Sequence, residues 1–193
     1  MRKQKASLTR RQRGAILDAL EDDTVLSFNA DEICLREEGG HVLYKSLKSK
    51  TTIHNLLHAA LPKQKLGWNV IGELSKLFLA ECVCLRSLDI SYCFLLPDER
   101  ATVQNAKALE QLIVRRESLL ALDISGNNLL VPGASARVNT ADAESMGMDW
   151  FLNCVSTNTH LEVLRMVEVR LTQPIRLALG KALLKNTKGK LAS

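Results

Sequence analysis

The chain has 193 residues, a formal net charge of +5, 46% hydrophobic residues and only 4% aromatic ones, enough aliphatic material for a core and too much for a disordered chain. Its longest apolar stretch, Val70 to Cys84, is broken by Glu73, Ser75, Lys76 and Glu81, which excludes a membrane helix of ~20 uninterrupted apolar residues. The charge is lopsided: Arg2, Lys3, Lys5, Arg10, Arg11 and Arg13 come before any acid, the rest of the chain sums to −1, and a nucleic-acid-binding body is not implied.

Five cysteines at irregular positions (Cys34, Cys82, Cys84, Cys93, Cys154) and an N-terminus without an apolar signal core point to a reducing intracellular compartment, cytoplasmic or cytoskeletal. Residues 1–24 read as a basic arm followed by a capping helix over 8–20, with Leu8, Ile16, Leu17 and Leu20 turned toward the first strand. The arm is read as solvated or as a contact for an acidic surface. A nuclear-localisation signal and, with less weight, a mitochondrial presequence are its alternatives.

From residue 25 onward the sequence repeats itself. Two copies are complete, Leu85-x-x-Leu88-x-Ile90-x-x-Cys93-x-Leu95 and Leu119-x-x-Leu122-x-Ile124-x-x-Asn127-x-Leu129, and both contain Leu-Asp-Ile-Ser at the same phase. A weaker copy, Leu161-x-x-Leu164-x-Met166-x-x-Val169-x-Leu171, follows. Two degenerate ones precede, Val25-x-x-Phe28-x-Ala30-x-x-Ile33-x-Leu35 and Ile53-x-x-Leu56-x-His58-x-x-Leu61. Starts near 25, 53, 85, 119 and 161 leave room for a helix in each interval. Apolar residues three or four apart mark those helices, as in Val70/Ile71/Leu74/Leu77/Phe78 and Val103/Ala106/Leu109/Leu112/Ile113. The segments Leu47 to Ile53, Val155 to Leu161 and Leu184-Lys-Asn-Thr also recur ahead of strand positions.

With these motifs the chain resembles the ribonuclease-inhibitor-like subfamily of leucine-rich repeats over residues 25–193. The resemblance implies an α/β solenoid, a horseshoe with a parallel β-sheet on the concave face and α-helices on the convex face. It also implies a protein-binding scaffold or adaptor within a larger intracellular assembly, not an enzyme, with a cytoskeletal or axonemal assembly as one such setting. A small-GTPase regulator acting through the concave rim and an RNA- or ribosome-associated protein using its basic termini are the alternatives.

Residues 130–147, small and polar, read as a surface loop inserted into the last interval, either tolerated or adding a binding loop. At the other end, Leu191-Ala-Ser193 falls where a sixth strand would start, and the expectation is a frayed end, one covered by a partner, or a longer array.

Catalytic and metal chemistry finds little to stand on. His54 and His58 lack the glutamate of a zinc-protease helix, Cys82-x-Cys84 reads as a pair of buried thiols, and Glu37-Glu38-Gly39-Gly40 reads as a turn before a helix, too acidic for phosphate. No cofactor is expected. Cys93 falls where the template places a backbone-bonding Asn or Cys.

Template offsets +2, +4, +6 and +7 give the concave face as Ser27/Asn29/Asp31/Glu32, Asn55/Leu57/Ala59/Ala60, Ser87/Asp89/Ser91/Tyr92, Ala121/Asp123/Ser125/Gly126 and Val163/Arg165/Val167/Glu168. The candidate partner-binding residues are Asn29, Asp89, Tyr92, Asp123, Arg165 and Glu168, with Tyr92 the anchor and Asp89, Asp123 and Arg165 in one row.

Overall fold

A computed structural model describes residues 8–29, 33–93, 103–130, 146–169, 171–186 and 190–192. Helices and strands alternate along it: α1 (Arg10–Ala19), β1 (Val25–Ser27), α2 (Arg36–Ser49), β2 (His58–Ala60), α3 (Gly67–Glu81), β3 (Ser87–Asp89), α4 (Val103–Arg115), β4 (Ala121–Asp123), α5 (Asp149–Thr157), β5 (Val163–Arg165) and α6 (Gln173–Lys185). The five strands form one parallel sheet in sequence order, as expected of stacked strand–helix repeats. Among the described residues no helix is long and apolar enough to cross a membrane.

Each strand is only three residues long, so the sheet is held less by the strands themselves than by a bonding pattern repeated on either side of them. Register places Leu26, Ala59, Leu88, Leu122 and Leu164 in one column, at intervals of 33, 29, 34 and 42 residues. Two residues further on, Phe28, Leu61, Ile90 and Ile124 are also buried, and their amides donate to Ala60, Asp89, Asp123 and Arg165 of the next strand at 2.8–3.0 Å. These two columns are the floor of the core, and each fully buried aliphatic side chain in them contributes roughly 1.5–3 kcal/mol.

That register moves the frame of the first two copies. The second begins at Leu56, not Ile53, because Ile53–Asn55 is a 3-10 turn and β2 lies at 58–60. The first begins at Asp23, not Val25, since Leu26 aligns with Ala59. An acid at the head of one copy and an alanine at the centre of the other hide the frame from a leucine template. Ala59 is therefore core, 1% exposed, and the concave side chains of β2 are His58 and Ala60.

The first strand is finished by its own sequence. In β2 to β5 the two amides at the start of the strand donate to the preceding strand; in β1 the equivalent amides of Thr24 and Val25 donate to Asp22 Oδ1 at 2.6 and 3.2 Å. Helix α1 begins with a capping box, in which Thr9 Oγ1 accepts from Gln12 N and Gln12 Oε1 accepts from Thr9 N, and Gln12 Nε2 ties it to Cys34 O at 3.0 Å. Ile16 enters the core, but Leu17, expected on the same side, points outward and is 67% exposed.

On the convex side the helices stack closely. A Cβ on Gly40 would come within 2.7 Å of Val70, so a side chain there would push α2 from α3. The Glu37 to Gly40 segment is accordingly the first turn of α2, not a turn before it. Polar side chains join the helices laterally: Asn69 donates to Glu37 at 3.2 Å and Asn105 to Asn69 at 3.0 Å.

Candidate functional site

The sheet exposes two columns of concave side chains, His58, Ser87, Ala121, Val163 and, two residues on, Ala60, Asp89, Asp123, Arg165. Asp89 and Asp123 are register partners, as expected. Each carboxylate accepts, through Oδ1 at 2.9 Å, the amide two residues ahead, Ser91 N and Ser125 N. This Asx turn gives both acids a structural task in bending the chain out of the strand. Arg165 follows Asp123 in the row and is exposed. In the other column, His58 Nδ1 lies 2.8 Å from Ser87 Oγ. His54 sits in the 3-10 turn, so the two histidines do not share a helical face.

After β2, β3, β4 and β5 the chain turns at a left-handed residue in the same position: Lys63, Tyr92, Gly126 and Glu168 have φ of 57°, 55°, 65° and 58°. Tyr92 uses that geometry to reach across two repeats. Its ring lies over Gly126, where an added Cβ would sit 2.2 Å from ring carbons, and its hydroxyl donates to Glu168 Oε2 at 2.6 Å. Donation to a carboxylate stabilises the protonated phenol and pushes its pKa above the ordinary 10.0. The two expected contact residues Tyr92 and Glu168 thus hold each other. Gly126, placed on the concave face by its offset but not among the candidate contact residues, is the seat of the Tyr92 ring. Ser91 and Ser125, expected on the face, are buried, and Ser125 Oγ accepts Val167 N at 3.0 Å.

Beneath this rim runs a backbone-bonding ladder. Asn127 Nδ2 donates to Ile90 O and Ile124 O at 2.8 and 3.0 Å, and its Oδ1 accepts Cys93 N at 2.8 Å. Cys93 Sγ contacts Leu61 O at 2.9 Å, as its template position implied, and Gln64 fills the same position one repeat earlier, accepting Leu35 N and donating to Ile33 O. On the opposite edge, Asn158 donates to Ile113 O and Asn186 to Val155 O, closing the recurring segments seen in the sequence. Of the cysteine pair expected to be buried, Cys82 is, whereas Cys84 is exposed because it lies in the turn after α3.

Comparison by sequence finds no matching family model and no matching curated protein. Among solved structures, the C-terminal domain of tropomodulin from Caenorhabditis elegans is similar, with 17% identity and a TM-score of 0.49 over 91% of this chain and 92% of that one. The functional reading therefore rests on the residues of this chain.

At the N-terminal end, Asn29 follows β1 at the offset of Ser91 and Ser125 and lines an open groove against α1. Arg10, Arg11 and Arg13 are exposed in the first turns of that helix. Arg2, Lys3, Lys5, Asp31, Glu32 and nearly all of the 130–147 insertion lie outside the described residues.

Proposed function

We propose that the chain is a non-catalytic protein-binding scaffold whose contact surface is the concave face between His58 and Glu168. The observation that carries this reading is the commitment of its polar groups. Asp89 and Asp123 are each engaged by a backbone amide, and Tyr92 and Glu168 brace one another over Gly126. A surface fixed in this way binds a partner without ordering its own side chains, which lowers the entropic cost of association. In this reading residues 1–22 form the arm and N-terminal cap, residues 23–193 the repeat body, and residues 130–147 an insertion within it. The cytoskeletal setting follows from the subfamily resemblance of the repeats.

The test is site-specific photocrosslinking in cells. A crosslinker at Ser87 or Arg165 on the concave face captures a discrete partner, and one at Lys107 or Gln111 on α4 does not. Equal capture from both faces, or none from the concave one, removes the proposal.

A further inference from the structure

The groove between α1 and the end of β1 encloses about 770 Å³ and opens to solvent. Its lining is mixed: Gly14, Ala15, Phe28 and Ile33 are apolar, Ser27, Asn29 and Asp18 are polar or acidic, and Arg10 and Arg11 come from the first turn of α1. Two features of α1 run against the stability of the helix itself. Arg10, Arg11 and Arg13 lie in its first turns, with no acid in the first turn, where the helix dipole disfavours cations. Gly14 lies in its interior, where alanine is the better helix former, and a Cβ there would meet nothing within 4 Å. Packing does not require that glycine. Among the described residues none of the three arginines forms an ion pair. Local preference surrendered at several positions around one groove is the signature of a site shaped for a ligand.

We infer that this groove binds an acidic peptide segment of a protein partner, with carboxylates on Arg10 and Arg11 and an apolar side chain lying over Gly14 against Ala15 and Ile33. The inference rests on the scaffold reading and gives that scaffold a second contact. Nucleic acid fits less well, because its sugar–phosphate backbone carries no aliphatic side chain to lie over Gly14 and Ala15.

The probe is a short fluorescein-labelled polyglutamate peptide with a single central leucine, titrated with the full chain by anisotropy. Arg10→Glu with Arg11→Glu should weaken binding by about tenfold or more. Gly14→Phe, which fills the groove without changing charge, should weaken it similarly, and so should removal of the leucine from the probe. Arg13→Glu, outside the groove lining, should have a smaller effect. Far-UV circular dichroism confirms that each variant stays helical, and Arg10→Gln with Arg11→Gln gives the charge result again should Gly14→Phe unfold.

Equal losses for Arg13→Glu and Arg10→Glu would make the attraction diffuse and overturn the site, as would undiminished binding by folded Gly14→Phe or tighter binding of oligouridylate than of the peptide. Concave crosslinking with no probe binding refutes the groove and leaves the scaffold reading standing. Probe binding without concave crosslinking does the reverse.

Discussion

Replacing Asn127 by alanine is the sharpest test of how the repeats are joined. The side chain is 2% exposed and serves three backbone groups, the amide of Cys93 and the carbonyls of Ile90 and Ile124. Each buried group left without a partner costs roughly 1–3 kcal/mol. Allowing for partial relaxation, Asn127→Ala should cost about 3–5 kcal/mol, a large share of the roughly 5–15 kcal/mol that holds a domain together. At about 2–4 °C per kcal/mol for a chain of this size, the melting temperature should fall by about 10 °C. Asn127→Cys should cost less, because a thiol there can contact Ile90 O as Cys93 Sγ contacts Leu61 O. Urea unfolding followed by circular dichroism reads both, with Gln111→Ala on the exposed side of α4 as the control. A loss for Asn127→Ala within about 0.5 kcal/mol of that control would show that these carbonyls do not depend on the ladder, and the reasoning would fall.

Gly126→Ala should lose about 1–2 kcal/mol from the left-handed backbone alone, and more while Tyr92 is present, because the ring must leave its seat. In a Tyr92→Ala background only the backbone part should remain, and a double-mutant cycle with no coupling would contradict the brace. Asp22 has its pKa lowered from 3.8, first by the Thr24 hydroxyl and then by the Thr24 amide. A depressed acid contributes stability above its unfolded value and loses it as pH falls through the folded one. The melting-temperature gap between the wild type and Asp22→Ala should therefore be full at neutral pH and close as pH drops below 3.8, and a gap that widens in acid would reverse the assignment. Thiol titration of the native chain with an aromatic disulfide should modify Cys84 quickly. Cys82, which burial pushes up to about 12, and Cys93 and Cys154, also raised by burial, should react only on unfolding. Peptide mapping that finds Cys93 among the fast thiols would place the ladder wrongly.

The repeats at 85, 119 and 161 were legible because each starts on leucine and keeps a large aliphatic residue at the centre, so template and register coincide. The first two copies were not, and the reason is local. Asp23 heads one copy and bonds Lys50 and Thr52, while Ala59 fills the leucine column of the other. A pattern search rewards size and hydrophobicity, whereas register depends on which amides meet which carbonyls. The same distinction explains the site. The row Asp89, Asp123, Arg165 follows from spacing alone, but the Tyr92 bridge joins residues 76 positions apart and depends on a left-handed turn in each of three repeats. Nor does amphipathic spacing reveal that Leu17 faces solvent or that Gly14 borders open space, since both depend on what lies beside α1.

The unequal intervals are reconciled with a regular sheet by where the bonds are made. Every strand pair uses the same amides and carbonyls, all within eight residues of the repeat start, so length added beyond that point cannot shift the register. The longest interval shows how the addition is isolated. Trp150 Nε1 donates to Leu129 O at 3.1 Å, and the indole packs edge-on against Trp68 and Phe151 with ring centres 5.6 Å apart in each pair. Leu129 and Trp150 flank residues 130–147, so this bond and this cluster fix the chain to the core on both sides of that stretch. Asp123 and Arg165 accordingly stay in register across β4 and β5 although this interval is the longest of the four.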